Sequence, residues 1–163
     1  MIQRTLVLIK PDGVQRALIG ECIRRFENAG LKLVGMKMKH IDEDFAKKHY
    51  TEDIAVRRGE SVRERLMKYI TAGPVVAMVI EGIESVEIIR KLVGGTEPKT
   101  ALPGTIRGDF SHHSFVHTDN KNRAAANIIH ASGNAEEAEQ EINLWFTNEE
   151  LHTYARADDE HIL

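Results

Sequence analysis

Cysteine is nearly absent from this chain of 163 residues. Cys22 is the only one, so no intrachain disulfide can form, and a reducing compartment is expected. Long hydrophobic runs are absent too. The apolar segment near the N-terminus, RTLVLI (4–9), is too short for a signal peptide or a membrane span, and Pro11 breaks it. We therefore expect a cytoplasmic protein without a membrane partner.

Aromatic residues make up only 6% of the sequence, and the formal net charge is −3 with both signs mixed along the chain. These values disfavour a nucleic-acid partner that binds a basic surface or stacks on a sheet. No Walker A or GxGxxG motif follows a predicted strand. The composition is otherwise that of a folded protein, with 42% hydrophobic residues, and the length suits a single domain over residues 1–163.

The hydrophobic pattern predicts four strands that alternate with helices. The turn at Pro11-Asp12-Gly13 opens a helix that is expected to run to Ala29, with Asp12 and Gln15 at capping-box spacing. Two arrangements fit this order: a ferredoxin-like split βαβ sheet or a doubly wound parallel sheet. The long helical insert between the second and third strands favours the first. The predicted strands are 4–9, 32–41, 74–81 and 128–131, and the main later helices are 43–51, 61–72, 84–93 and 135–146.

Glu141 is the first candidate for chemistry. On the last predicted helix, Ala138, Ile142 and Trp145 share an apolar face, and Glu141 falls within it. A carboxylate there needs a partner, and His130, at the end of the preceding strand, is the local candidate. Such a pair fixes the imidazole tautomer and leaves the other ring nitrogen free as a base or nucleophile. A purely structural pair in a core is the alternative.

Three basic residues are candidates with equally simple alternatives. Lys10 ends the first strand at a sheet edge, where pockets form, or is a solvated strand end. Arg90 lies near the end of its helix, where the helix dipole alone would explain it. Arg107 lies between glycines that permit close approach of a ligand, or it pairs with Asp109 at the surface.

The histidines of the 111–126 loop do not predict a metal site. His112, His113 and His117 give the pattern HHxxxH, but no cysteine or carboxylate pattern nearby completes a zinc site. Solvated loop histidines are the preferred interpretation. No protein-bound metal is therefore predicted.

Seven motifs stand in order along the chain: KPDGVQR (10–16), HY (49–50), AGPVVAMV (72–79), GTEP (95–98), PGTIRGDF (103–110), NIIHASG (127–133) and EEAEQEINLWF (136–146). Together they resemble the nucleoside diphosphate kinase family, and the resemblance runs from residue 1 to about residue 155. It implies a ferredoxin-like αβ sandwich with a four-stranded antiparallel sheet, and a homo-oligomer that is a hexamer or a tetramer. It also implies transfer of a γ-phosphate from a nucleoside triphosphate to a nucleoside diphosphate, with Mg²⁺ carried on the nucleotide.

The resemblance also assigns roles to individual residues. It implies that His130 is phosphorylated, that Glu141 and Ser132 orient and polarise it, and that the other site residues hold the nucleotide. A catalytically silent relative is the main rival, and the complete set of residues argues against it. The nucleotide-holding residues are Lys10 with its neighbour Tyr50, the phosphate contacts Arg90, Thr96 and Arg107, and the ribose contact Asn127.

Three departures from the family pattern leave base preference open. Val62 is the best match to a phenylalanine that stacks on the nucleobase, in a stretch lengthened near 52–61, unless Phe110 or another residue takes that place. The link 111–126 is also longer, and Ser114–Val116 is expected to form one arm of a hairpin. This insertion either rims the site or an oligomer contact, or is a tolerated surface loop. Glu97 replaces the more usual asparagine, and its charge is mildly unfavourable near phosphate unless it points away; the sequence leaves both orientations open.

Overall fold

The computed structural model describes residues 1–162, which form one antiparallel sheet with helices on both faces. The strand order is β2-β3-β1-β4, and each neighbouring pair is antiparallel. The ferredoxin-like prediction is thereby confirmed, and the doubly wound parallel alternative is wrong. The strands are β1 (Ile2–Ile9), β2 (Lys32–Lys39), β3 (Val75–Ile83) and β4 (Ile129–Ala131).

Ten α-helices lie within residues 1–162, together with 3₁₀ turns at Pro98–Thr100 and Asn148–Glu150. The helices are α1 (Pro11–Gln15), α2 (Ile19–Asn28), α3 (Glu43–His49), α4 (Glu52–Arg58), α5 (Glu60–Ile70), α6 (Ser85–Val93), α7 (Ile106–Phe110), α8 (Phe115–Asn120), α9 (Ala135–Trp145) and α10 (Asp159–Ile162).

The sheet is covered on both faces, which explains the unbroken apolar run of β1. Leu6 and Leu8 point to one side, where they share a core with Trp145 of α9. Val7 and Ile9 point to the other side, where Phe26 of α2 joins them. Side chains alternate across a strand, so a central strand buried on both faces is apolar at every position. β1 therefore ends with Lys10 fixed at the edge of a rigid core.

The first predicted helix is interrupted. α1 and α2 are separated by residues 16–18, where Ala17 adopts a φ of +57°. The capping-box expectation for Asp12 is also wrong, because the α1 N-cap is Lys10 and the Asp12 carboxylate accepts hydrogen bonds from Tyr69 and from the backbone of Ile128. Long-range partners thus compete with the local cap.

The hairpin expected at Ser114–Val116 is wrong, because this insertion forms helix α8. The Ser114 hydroxyl accepts a hydrogen bond from the backbone N–H of His117 at 3.2 Å, which caps the helix. Residues 94–126, for which the sequence predicts mostly loop, also contain α7. This helix is capped by Thr105, whose hydroxyl accepts a hydrogen bond from the N–H of Gly108 at 3.1 Å. Short capped helices carry too few residues to show a hydrophobic period.

The C-terminal segment, expected to be loose from about residue 155, contacts the start of β2. Arg156 donates hydrogen bonds to the carbonyl oxygens of Gly30 and Leu31 at 2.8 and 3.0 Å. The Tyr154 hydroxyl donates to the carbonyl oxygen of Leu33 at 2.7 Å. Within residues 1–162, no helix has both the length and the apolar character that a membrane span requires.

Replacing Leu6 by alanine should lower the free energy of unfolding by about 2–5 kcal/mol, because it opens a cavity in the core on the α9 side of the sheet. Urea denaturation followed by circular dichroism measures this change. Leu102→Ala is the matched control, because Leu102 is 73% exposed and its truncation should cost less than about 0.5 kcal/mol. Equal losses for the two variants would contradict the assigned core.

Candidate active site

A cavity of about 620 Å³ opens between α4, α5, α8 and the C-terminal end of β1. It collects nine of the ten residues singled out in the sequence, and the tenth, Ser132, is fully buried behind it. Residues scattered over more than 130 positions therefore meet at one place. The nine that line the cavity are Lys10, Tyr50, Val62, Arg90, Thr96, Arg107, Asn127, His130 and Glu141.

His130 lies on β4, opposite Leu8 of the central strand. Its Nε2 atom is 2.7 Å from Oε1 of Glu141. The second carboxylate oxygen of Glu141 accepts a hydrogen bond from the Ser132 hydroxyl at 2.6 Å. Burial alone would raise the pKa of Glu141, but His130, His49 and the Ser132 hydroxyl together lower the pKa below its usual value. The carboxylate is therefore ionised.

The ionised carboxylate fixes the protonation of His130. A carboxylate only accepts hydrogen bonds, so Nε2 of His130 carries the proton. The lone pair of a neutral imidazole then lies on Nδ1. The predicted pairing of His130 with Glu141 is thus present, and it leaves the ring lone pair on Nδ1.

A second histidine, His49, lies directly behind this pair. Its ring packs edge-on against the His130 ring at 4.8 Å between centroids, and Nδ1 of His49 is 3.6 Å from Glu141. Trp145 donates its indole N–H to that same Nδ1 at 3.3 Å. Burial, aided by repulsion from His130, lowers the pKa of His49 to about 3, so its ring is neutral. Sequence reasoning used His49 only as part of the HY motif.

These three residues are also the one group among residues 1–162 whose spacing would suit a metal ion, with ligand atoms within 4.8 Å of one another. The contacts favour a proton network instead. Nε2 of His130 and Oε1 of Glu141 are only 2.7 Å apart, and Nδ1 of His49 already accepts from Trp145. The loop histidines 112, 113 and 117 form no such group.

The bend before β4 holds His130 in place from several directions. Ile128 has a φ of +71°, which is strained for a β-branched residue, and the N–H of Ile129 bonds back to the carbonyl oxygen of Asn127 at 2.8 Å. The Asp12 carboxylate accepts from the N–H of Ile128 at 3.1 Å, and the N–H of Lys10 donates to the Ile128 carbonyl at 2.8 Å. Such contacts are required to keep a strained bend in one conformation.

Lys10 is buried, yet its side-chain amine is expected to bind an anion. Its Nζ donates to Oδ1 of Asn127 at 2.8 Å. Burial, and next the nearby Arg107, lower the pKa of Lys10 to about 7, with Asp12 opposing the shift. Near neutral pH this lysine therefore changes its charge readily, and a bound anion would favour the protonated form.

Arg107 does not pair with Asp109, so that alternative is wrong. Its guanidinium donates to the carbonyl oxygens of Gly94, Asn127 and Ile129 at 2.9, 3.2 and 2.6 Å. Asp109 instead accepts from Arg25 at 2.7 Å. Burial, with repulsion from Arg90, lowers the pKa of Arg107 only to about 10, so it stays charged at neutral pH.

Comparison with known proteins decides the family. The nucleoside diphosphate kinase family model matches residues 3–151. A nucleoside diphosphate kinase of Borreliella burgdorferi is 51% identical over 160 residues, which cover 98% of this chain and 96% of the relative. One of Pyrococcus furiosus is 51% identical over 158 residues, covering 97% of this chain and 91% of the relative.

A solved structure agrees. The nucleoside-diphosphate kinase from Borrelia burgdorferi, described as a transition-state mimic with bound vanadate and ADP, has a TM-score of 0.97 at 50% identity, covering 99% of this chain and 96% of that one. The chain belongs to the nucleoside diphosphate kinase family. It is accordingly a phosphotransferase of nucleotide metabolism.

Sequence reasoning missed the contacts of two residues next to the site. Asp12 accepts from the Tyr69 hydroxyl and from the N–H of Ile128, so it ties α5 to the strained bend. Gly13 allows α1 to lie close to this bend, because a Cβ at position 13 would be only 3.0 Å from the carbonyl oxygen of Ile128. The family motif KPDG contained both residues, but only the fold shows what they contact.

Replacing Asp12 by alanine removes the acceptor of two partly buried donors, Tyr69 and the N–H of Ile128. We expect the free energy of unfolding to fall by about 1–3 kcal/mol, as for unsatisfied buried polar groups. Urea denaturation measures it. The matched control is Asp44→Ala, whose carboxylate is 89% exposed and pairs only with Lys47. A loss for Asp12→Ala no larger than the control's would show that the bend does not need the carboxylate.

Proposed function

We propose that this nucleoside diphosphate kinase works by a ping-pong mechanism through a phosphohistidine on Nδ1 of His130. In the first step Nδ1 attacks the γ-phosphorus of a nucleoside triphosphate, and the bond to the β–γ bridging oxygen breaks. A nucleoside diphosphate leaves, and a second one takes the phosphoryl group in the reverse step. The observation that carries the proposal is the 2.7 Å contact of His130 Nε2 with Glu141 inside a cavity lined by cations.

Glu141 and Ser132 are the positioning residues in this proposal. As Nδ1 forms its bond to phosphorus, positive charge develops on the imidazole ring, and the Glu141 carboxylate on Nε2 stabilises it. The Ser132 hydroxyl holds the far carboxylate oxygen at 2.6 Å, so Glu141 keeps its orientation. Ala131, which follows His130 and lines the cavity, is small enough to leave room for the phosphoryl group.

The cations of the cavity suit the phosphates. Charge in phosphoryl transfer is spread over the oxygens of a loosely bonded group, so fixed donors stabilise it without rearrangement. Lys10, Arg90 and Arg107 supply positive charge, and Thr96 and Asn127 supply polar groups beside them. Asn127 is fixed by Lys10 and by the carbonyl oxygen of Thr96, to which its amide donates at 2.9 Å. Tyr50 lies buried beside this group.

We also propose Mg²⁺ as the cofactor, carried on the nucleotide. The acidic residues of the cavity are already engaged: Asp119 with Arg65, Glu137 with the N–H of Gly133, and Glu141 with His130. A protein-held site would need carboxylates free to bind the ion. The donor set therefore fits an ion that enters with the phosphates, which the cavity cations then hold. Mg²⁺ would neutralise phosphate charge when bound.

We further propose a cytoplasmic homo-oligomer, a hexamer or a tetramer. β2 is an edge strand of the sheet, and its Met36 and Met38 are 54% and 60% exposed. An edge strand with exposed apolar side chains is a natural surface for a second copy of the chain. This supports self-association and does not distinguish the two states.

The relay is tested by a two-step transfer. The protein is incubated with Mg²⁺ and γ-labelled ATP, freed of nucleotide, and then given unlabelled GDP. We expect an acid-labile, base-stable label that is discharged into GTP, and no label on His130→Ala. The matched control is His152→Ala, which removes an exposed histidine outside the cavity and should label normally. A folded, nucleotide-binding wild type that takes no label, or a labelled His130→Ala, would refute the phosphohistidine.

Binding of a diphosphate should protonate Lys10. With a pKa of about 7 the free lysine is mostly neutral at pH 8, and a bound anion favours its charged form, so each site should take up almost one proton. Below about pH 6 the lysine is already charged and the uptake should vanish. Calorimetry of ADP binding in buffers of different ionisation enthalpy measures it.

The matched variants for this experiment are Lys10→Met and Lys47→Met. Lys47 is half-exposed and pairs with Asp44 at the surface, so its variant should behave as the wild type. Subtracting the Lys10→Met value removes the protons that ADP itself exchanges. If the wild type and Lys10→Met took up the same number of protons on binding ADP, Lys10 would not be the group that is protonated.

A further inference from the structure

The cavity lacks an aromatic residue at the position where the family pattern predicts a base-stacking phenylalanine. Val62 and Leu66, one turn apart on α5, give this wall an aliphatic surface. Two phenyl-type rings line the cavity among residues 1–162. Tyr50 is only 5% exposed, whereas Phe115 of α8 is half-buried. Phe115 therefore offers partly exposed aromatic surface at the cavity.

The N-terminus of α8 is tied to the segment that carries Thr96. The backbone N–H of Phe115 donates to Oε1 of Glu97 at 2.8 Å, and the N–H of Lys99 donates to the carbonyl oxygen of His113 at 3.0 Å. Glu97 thus points at α8 and not at the phosphate site, which resolves the departure at that position. The residue that replaces the usual asparagine holds Phe115 in place.

The other end of α8 is tied to α5. Arg65 donates to Asp119 at 2.7 Å and to the carbonyl oxygen of Arg123 at 3.3 Å. Arg65 lies next to Leu66 in the chain, so this contact sets the distance between α8 and the aliphatic wall. The insertion 111–126 therefore forms a rim of the cavity, held at two points.

We propose that Phe115 is the nucleobase platform of this kinase, with the base lying between its ring and the aliphatic wall of Val62 and Leu66. This rests on the proposed function, because it assumes that the nucleotide occupies this cavity. A phenyl ring stacks on any base, since every base has a π-face. The platform would therefore accept purine and pyrimidine nucleotides alike, and Phe115 would contribute to affinity more than to base selection.

The test compares ADP with ribose 5-diphosphate, which has the same phosphates and sugar but no base. Calorimetry with Mg²⁺ gives the dissociation constant of each ligand for wild type, Phe115→Ala, Phe115→Trp and the control Val116→Ala. Val116 is 71% exposed and does not line the cavity. None of the three substitutions removes a backbone contact of α8.

We expect Phe115→Ala to weaken ADP about tenfold, which corresponds to about 1.4 kcal/mol, and to change ribose 5-diphosphate less than about twofold. Phe115→Trp should retain ADP affinity, and Val116→Ala should match the wild type. Equal weakening of both ligands, or no weakening of ADP, would overturn the platform. The binding data decide this even if the wild type takes no label from ATP, which would refute the relay separately.

A second measurement does not depend on Phe115→Ala. The wild-type protein is prepared with deuterium in every aromatic ring except those of phenylalanine. In this sample the adenine protons of bound ADP should show nuclear Overhauser effects to one phenyl ring. That ring is assigned by the loss of its signals in Phe115→Trp. Effects to another phenylalanine, or to none, would overturn the assignment even if Phe115→Ala failed to fold.

Discussion

The site depends on one buried carboxylate. Glu141 lies on a helix face that otherwise packs against the sheet, and a charge there is costly unless it is paired. His130 and Ser132 supply hydrogen bonds to its two oxygens, and the neutral His49 closes the space behind. If one of these partners were removed, the hydrogen bonding of the Glu141 carboxylate would be incomplete. The geometry that satisfies the buried charge is therefore the same geometry that orients the imidazole of His130.

The central strand brings this carboxylate network to the cationic side chains of the cavity. β1 pairs with both β3 and β4, and its register places Leu8 opposite His130 two residues before Lys10. The lysine and the histidine are therefore fixed by the same rigid core. The strained bend at Ile128 lies between them, and the backbone N–H of Lys10 is one of its supports. A change in the bend would move both groups together.

The sequence predicted the parts of the fold and site that depend on local periodicity. Glu141 was found because its helix is long enough to show an apolar face, and β1 because its run is continuous. Asp12 was misjudged because its true partners, Tyr69 and Ile128, lie 57 and 116 residues away, beyond any local pattern. Arg107 was left open for the same reason. Helix α8 was missed because six residues with one cap cannot show a period.

The cavity holds its cations close together. Arg90 and Arg107 repel each other. The positive charge of Arg107 also disfavours the protonated form of Lys10 and is one cause of the lowered pKa of Lys10. In the proposed function a bound di- or triphosphate would relieve this repulsion, so part of its binding free energy would come from unfavourable interactions that the fold already contains. Because Arg107 is fixed by three backbone carbonyls, its charge cannot move away to relieve the repulsion itself. Because the pKa of Lys10 is already lowered, the proposed phosphate binding would be coupled to protonation of the lysine.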